Sequence, residues 1–454
     1  MRHVPVLFED HTAVGFRPLS WSLPVGELRC GVLNPRERVE SACGRPPVLL
    51  LRSFLEPLAL AGGHGCGREA IGRELSVGGP DGLLWLSARL GADWAFLESV
   101  VRRAEASAEP FALADAEGLL AAAVPAPQAA SWLAHWDAWR QSADETACWR
   151  QPGVAAPRWS PPCTTEPAPD TARPWRRLWD LLPATAAAIA ADLRRLRGRL
   201  PRRVIWGAVP ADPAAAAWQA PVDLADATGR GIGGCVVGGG ADQVWLGPGC
   251  RLAASAAIDA SAGPVILGAG VRVLPHTYLE GPLFIGSGSL VKAGATIYGE
   301  TPLGAVTKVA GRRVDTRFHE QAARGIHRPR LPGQLVQSGR LTTNSDLKNT
   351  YGVIRVDHGD GEEDTGLHFV GLMMAEHGKT AIGTMFNTGT TVGFASNVFG
   401  SGFPGKCLPN WTWGDGRGDA RQDPDRALAT ARTVMARRGC ELTDGHREIF
   451  RFLG

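Results

Sequence analysis

The chain has no Cys-x-x-Cys pair, no apolar run approaching 18 residues, and only three tyrosines among 454 residues. Each absence removes something. Nine scattered cysteines (Cys30, Cys43, Cys66, Cys148, Cys163, Cys235, Cys250, Cys407 and Cys440) write out no zinc site. Without a long apolar run, no transmembrane helix is expected. A net charge of +3 is too small to argue for nucleic acid or an acidic membrane surface as a partner. The opening MRHVPVLFED lacks the apolar core of a secretory leader, and the cysteine count is odd. Together these point to a reducing cytoplasm.

What is abundant is glycine (57) and proline (33), which favours turn-rich architecture over a helical bundle. VPVLF and PPVLLLR (46–52) read as buried strands, and 91–107 and 112–123 as helices, so residues 1–175 suggest an α/β domain. The proline-rich stretch 153–174 reads as a linker or extended loop. RRLWDLLPATAAAIAADLRRLRGRL (176–200) is a helix that would suit a connector spanning 176–230.

From residue 244 the period changes. Leu246, Leu252 and Ile258 recur every six residues. After a slip of three, so do Leu267, Val273, Leu279, Ile285, Val291, Ile297, Leu303 and Val309. Neither a helix nor a plain strand has a period of six. A three-sided coil does, with one inward aliphatic per side and small residues such as Gly268, Gly286 and Gly304 at the corners. The expected fold is therefore an α/β N-terminal domain followed by a left-handed parallel β-helix of hexapeptide repeats over 231–415. Ile382, Thr388, Val392 and Val398 are assigned to the same lattice. An acidic hairpin loop at 357–364 interrupts it, and helices from Asp423 form a C-terminal cap (416–454).

Two stretches carry a family likeness. VLFEDHTAVGFRPLSWSLPVGELRCGVLNPRERVE (6–40) resembles the opening of the alternative bacterial GlmU-like family of sugar nucleotidyltransferases. TTNSDLKNTYG (342–352), HGKTAIGTMFNTGTTVGFASNVFG (377–400) and PNWTWGDG (409–416) resemble that family's β-helix half. The resemblance implies a bifunctional enzyme of UDP-N-acetylglucosamine synthesis. One half would acetylate glucosamine-1-phosphate from acetyl-CoA. The other would transfer uridylyl from UTP with Mg2+. It also implies a homotrimer.

Acyl transfer to an amine needs a base, oxyanion donors and anchors for a sugar phosphate. Asn344 and Asp346 match the Asn-x-Asp segment that related acetyltransferases set against the amino sugar, and Lys348 and Asn349 lie beside them. The plainer reading is a polar corner satisfying its own turn. His377 and Lys379 are candidates for substrate or CoA phosphates. In the N-terminal half, Arg17 and Arg29 are candidate phosphate contacts, against a structural pairing of Glu27 with a neighbouring Arg. Gly62–Arg68 imitates a phosphate loop, but after the second apolar run rather than the first.

RPRLPGQLVQSGRL (328–341) departs from the family pattern where the general-base histidine would stand, leaving His327 as the nearest candidate. One choice of codons for these residues, read one base later, gives GHAYLGSWSNLGA, which restores that pattern. A frame lesion is therefore inferred here, and activity of the chain in acyl transfer depends on it. The reading from another class is a non-catalytic trimeric β-helix scaffold that binds a sugar nucleotide without turning it over.

Overall fold

The computed structural model describes residues 2–196, 235–309 and 336–454, except positions 78, 107, 108, 240–242, 254, 338–340, 419, 438 and 439. The first apolar runs form β1 (His3–Phe8) and β2 (Val48–Leu50), buried at every position. Continuous burial is what a sheet covered on both faces requires. β1 pairs in parallel with β2 and with β3 (Gly82–Ser87). β4 (Phe111–Ala114), β5 (Leu119–Pro125) and the short β6 (Glu166–Pro167) complete a mixed sheet of order β2-β1-β3-β5-β4-β6. Helices α1 (Pro35–Cys43), α2 (Glu56–Ala61), α3 (Gly67–Ser76), α4 (Trp94–Ala106) and α5 (Ala126–Glu145) make this an α/β domain.

Residues 112–123 form the β4–β5 hairpin, not the expected helix. Their alanine content favours a helix by propensity. The turn chemistry overrides it: Asp115 Oδ1 accepts the N–H groups of Glu117 and Gly118, both at 3.0 Å, closing a turn between two buried strands. The proline-rich stretch is extended but not free. Its Trp159 is 1 % exposed and stacks on Trp85 at 5.9 Å. The helix expected over 176–200 is α6 (Leu181–Leu196). Its fully buried Asp192 accepts from Arg38 Nε (2.9 Å), Trp94 Nε1 (2.7 Å) and the Leu33 N–H (2.9 Å), which fixes α6 against the sheet domain.

The six-residue period resolves into three parallel four-stranded sheets. Strands 244–246, 265–267, 283–285 and 301–303 stack in one sheet, with successive strands feeding the other two in turn. From 265 onward, partners lie 18 residues apart: Val265 with Leu283, Arg272 with Leu290, Tyr278 with Thr296. This arrangement is compatible with a three-sided parallel β-helix. The eleven aliphatics named above, from Leu246 to Val309, are all 2 % exposed or less. Each contributes about 2 kcal/mol of burial. Gly286 is dictated by stacking distance rather than by its backbone angles, since a Cβ there would stand 2.4 Å from the Ala305 nitrogen. α6 packs against strands 283–285 and 301–303 and so joins this stack to the sheet domain.

A second, shorter stack pairs 373–374 with 391–392 and 407–408, 379–380 with 397–398 and 413–414, and 343–344 with 385–386. Its interior holds Met374, Phe386, Val392, Val398 and Leu408. Val392 and Val398 point in as expected, but Ile382 does not: it is 75 % exposed. The inward lattice passes through 374, 380 and 386, so Ile382 falls at a corner beside Gly383, and Thr388 at the next corner. The acidic excursion is an antiparallel hairpin of Arg355–Asp357 and Glu362–Asp364. Helices α7 (Pro424–Ala436) and α8 (Asp444–Leu453) follow the coils. α8 bridges both parts: Phe452 stacks on Phe54 of the sheet domain at 4.1 Å, and Trp411 Nε1 donates to the Leu453 carbonyl at 2.7 Å. Among the described residues, no helix is long and apolar enough to cross a membrane.

Candidate active site

Strand order places the site. The chain runs from β1 to one neighbour, β2, and then returns to the other side of β1 as β3. In open α/β sheets such a reversal leaves a crevice beyond the carboxyl ends of the strands. Glu9 and Asp10 follow β1, Arg52 lies just past β2, Ala88 and Arg89 follow β3, and Asp115 follows β4. β3 and β4 are both antiparallel to β5, so these ends share one edge.

The charged groups there are buried, and most are matched. Glu9 Oε2 accepts from Arg52 Nε at 3.1 Å, and Arg52 also donates to the Leu23 carbonyl at 3.0 Å. Arg89 forks onto both oxygens of Asp115, at 2.9 and 3.1 Å. Burial raises the Asp115 proton affinity. The Arg89 hydrogen bonds and charge, with the Gly118 and Glu117 N–H groups, outweigh it, so the carboxyl titrates below its ordinary value.

Two atoms stand apart. Asp10 Oδ1 accepts from Thr12 N (2.9 Å) and Thr12 Oγ1 (2.5 Å) and caps the 3-10 turn His11–Phe16. Asp10 Oδ2 is buried without a hydrogen-bond partner, and so is Arg89 Nε. Gly118 leaves room beside the former: a Cβ there would lie 3.4 Å from Oδ2. Both atoms lie at the carboxyl edge of the sheet, where a ligand or water can reach the partner position each leaves open. His11 Nδ1 accepts the Trp159 N–H at 3.3 Å, which leaves Nε2 as the donor of the neutral ring.

A cavity of about 640 Å3 opens on the same edge, beyond β4 and β6, within the range of small-molecule sites. Asp115, Glu166, Asp170, Arg173 and Arg176 line it. Its wall is the proline-rich stretch, pinned by the Trp175 N–H donating to the Arg89 carbonyl at 2.8 Å. Gly91 (φ +55) permits that approach, because a Cβ would stand 2.3 Å from the Trp175 ring.

The residues singled out from sequence fall elsewhere. Arg17 is buried and occupied by Asp360 and the Cys148 carbonyl, and burial lowers its pKa. Arg29 binds the Val32 carbonyl and Glu37. Glu27 pairs with Arg36 at 2.6 Å, the structural alternative. The glycine-rich stretch turns between α2 and α3 beside β2. In the second stack, Asn344 carries both side-chain polar atoms buried without a partner, as does Asp346 Oδ2, while Lys348 Nζ donates to the Val353 carbonyl at 2.6 Å and Asn349 is exposed. His377 is buried edge-on to Phe394 and Phe450, and Lys379 Nζ donates to the His377 carbonyl at 3.0 Å. Burial drives the His377 pKa well below its ordinary value, with Lys379 and His446 adding to it. Burial also pushes Glu376 up to about 8 and Lys379 down to about 8. His327, and residues 328–335 of the out-of-frame stretch, lie outside the described residues. Among the described residues, no group of three His, Cys, Asp or Glu side chains is placed to hold a metal ion.

Sequence reading missed Asp10, Arg89 and Asp115. Only Asp10, directly after the first strand, carried a positional signal.

Residues 5–199 match the family model described as sugar nucleotidyl transferase. No curated protein matches the chain. The match covers the sheet domain through α6, and supports a nucleotidyltransferase there and a place in nucleotide-sugar synthesis.

Proposed function

We propose that the sheet domain transfers a nucleotidyl group, uridylyl by the family resemblance, from a nucleoside triphosphate to a sugar 1-phosphate. The observation that carries this is the orphaned Asp10 Oδ2 at the switch point, beside the Arg89–Asp115 pair, in a domain matching sugar nucleotidyl transferases. A sugar-phosphate oxygen attacks the α-phosphorus, the bond to the bridging oxygen breaks, and pyrophosphate leaves. Mg2+ commonly takes one or two carboxylates and completes its shell with water and phosphate oxygens, so one free carboxylate oxygen fits it without a three-ligand cluster. Asp10 would hold the ion, which neutralises charge on the phosphates when bound. Arg89 holds Asp115 in place. Arg173 and Arg176 supply cationic charge to the cavity.

The second half of the proposal is acetylation of glucosamine-1-phosphate from acetyl-CoA on the coils, read as a left-handed β-helix in a homotrimer. The unpartnered atoms of Asn344 and Asp346 support a substrate there. The exposed Phe399, Phe403 and Trp413 would suit a neighbouring copy. Two assays separate the readings. Pyrophosphate release from UTP with N-acetylglucosamine-1-phosphate and Mg2+ reports the first reaction. Free-thiol release from acetyl-CoA with glucosamine-1-phosphate reports the second. Binding of a sugar nucleotide without either release would establish the scaffold instead.

A further inference from the structure

The acidic hairpin does not belong to the coil lattice, and four of its residues, His358, Gly359, Asp360 and Glu363, contact the sheet domain. Asp360 receives both hydrogen bonds of one fork nitrogen: Arg17 Nη1 lies 2.9 Å from each carboxylate oxygen. Asp360 Oδ1 also accepts the Gly153 N–H at 2.6 Å. Glu363 accepts from Arg177 Nε at 2.7 Å, and the His358 ring lies 5.9 Å from Trp179. At the tip, Gly359 (φ +106) lets the loop lie on Pro152, where a Cβ would meet the proline ring at 2.5 Å. The hairpin is anchored to its own stack by Thr391 Oγ1 donating to the Asp357 carbonyl at 2.6 Å and Lys406 Nζ donating to the Arg355 carbonyl at 3.1 Å.

Two of these contacts, at Arg17 and Arg177, bear on one short element. The 3-10 turn His11–Phe16 begins at its cap, Asp10, and ends at Arg17, whose N–H closes the turn onto the Val14 carbonyl. Arg17 is 2 % exposed in its side chain, with its guanidinium 4.4 Å over the Trp21 ring and Arg52 as a like-charged neighbour. Arg52 is itself matched by Glu9, so Asp360 supplies the carboxylate that Arg17 needs. On the other side, Gly15 packs so closely that a Cβ would stand 2.4 Å from the Arg176 carbonyl, next to the Arg177 that Glu363 holds. Without Asp360, the buried Arg17 would keep only the neutral Cys148 carbonyl as a hydrogen-bond partner, and an uncompensated buried charge is strongly destabilising.

We propose that Asp360, carried by the second stack, is a positioning residue for the carboxyl-edge site: through Arg17 it holds the turn that presents Asp10 and His11. The nucleotidyl-transfer half is then incomplete without the other half's hairpin. This rests on the nucleotidyltransferase reading above.

The test uses the full chain with Asp360→Asn and Asp360→Glu. It measures amide hydrogen exchange by peptide alongside pyrophosphate release from UTP and N-acetylglucosamine-1-phosphate. Exchange across 10–17 should quicken by about tenfold in Asp360→Asn while β3 stays protected. Turnover should fall by about tenfold or more, chiefly in kcat. Asp360→Glu, which keeps the charge, should stay near wild type in both. Should Asp360→Asn not fold, Glu363→Gln at the more exposed contact gives the milder version of the same two shifts. Unchanged exchange across 10–17 overturns the proposal, and so does quickened exchange with unchanged turnover. A wild-type chain that releases no pyrophosphate defeats the functional reading instead, and the exchange data then show separately whether the hairpin holds the turn.

Discussion

The two coil stacks differ in what they bury and in what they touch. From 244 to 309 the interior is an unbroken file of aliphatics, each meeting its equivalents in the coils above and below. From 336 to 414 the interior is mixed, polar atoms of Asn344 and Asp346 go unpaired, a hairpin breaks out, and the corner residues His377, Phe394 and Trp411 pack under α8. A repeat that only has to stack can be regular. A repeat that must also meet a second domain or a substrate departs from its period where it does so.

That contrast can be broken at several points. The largest effect is expected in the regular stack. Ile285→Ala removes a fully buried side chain with no slack around it, and should cost about 3 kcal/mol in denaturant unfolding. A cost below about 1 kcal/mol would mean that the file of aliphatics is not what holds the coils together. Next comes the corner of the second stack. Glu376 is buried with its pKa raised to about 8 from an ordinary 4.5, mainly by burial, with Ser22 opposing. An acid whose pKa rises on folding contributes stability that is full below 4.5 and is lost as pH climbs through 8. Glu376→Gln should therefore gain on wild type by about 1.4 kcal/mol per pH unit across that window. Parallel stability curves for the two proteins from pH 5 to 8 would rule out a buried, titrating Glu376.

A smaller effect is expected where the second stack begins. Leu341 has φ +65 and is 71 % exposed, and the Thr343–Met385 register puts it at the corner held one layer on by Gly383, at φ +75. Leu341→Gly should stabilise the chain by about 1 kcal/mol, read as a higher unfolding midpoint. Leu341 is also the last residue of the stretch inferred to be out of frame. Resequencing codons 318–345 checks that inference, and an intact frame there refutes it. The smallest effect belongs to the outward face of the regular stack. Arg272→Gln, on an exposed position, should move stability by less than about 0.5 kcal/mol.

How far sequence reading reached follows the same divide. The period of six was legible because one inward side chain per side leaves a mark at every turn, and each of those residues is buried. Ile382 was misassigned because it stands ten residues before Val392, off the six-residue step that runs through 374, 380, 386, 392 and 398, and its aliphatic side chain alone looked like an inward one. The β4–β5 hairpin was misread because alanine's helix preference is a local signal and the Asp115–Gly118 turn is a stronger one. The site itself was almost invisible. Arg89 and Asp115 stand 26 positions apart and meet only because β5 lies between their strands. No spacing rule connects them to Asp10. Arg17, by contrast, looked like a ligand contact and holds a carboxylate of the protein's own.

Pyrophosphate release by Asp10→Asn beside wild type, with UTP, N-acetylglucosamine-1-phosphate and Mg2+, tests the carboxyl-edge site most directly. The wild-type chain should release pyrophosphate only when both substrates are present. The variant should be slower by about 100-fold or more, with Asn344→Ala unaffected in this assay. An Asp10→Asn chain as fast as wild type would place the chemistry somewhere else in the molecule.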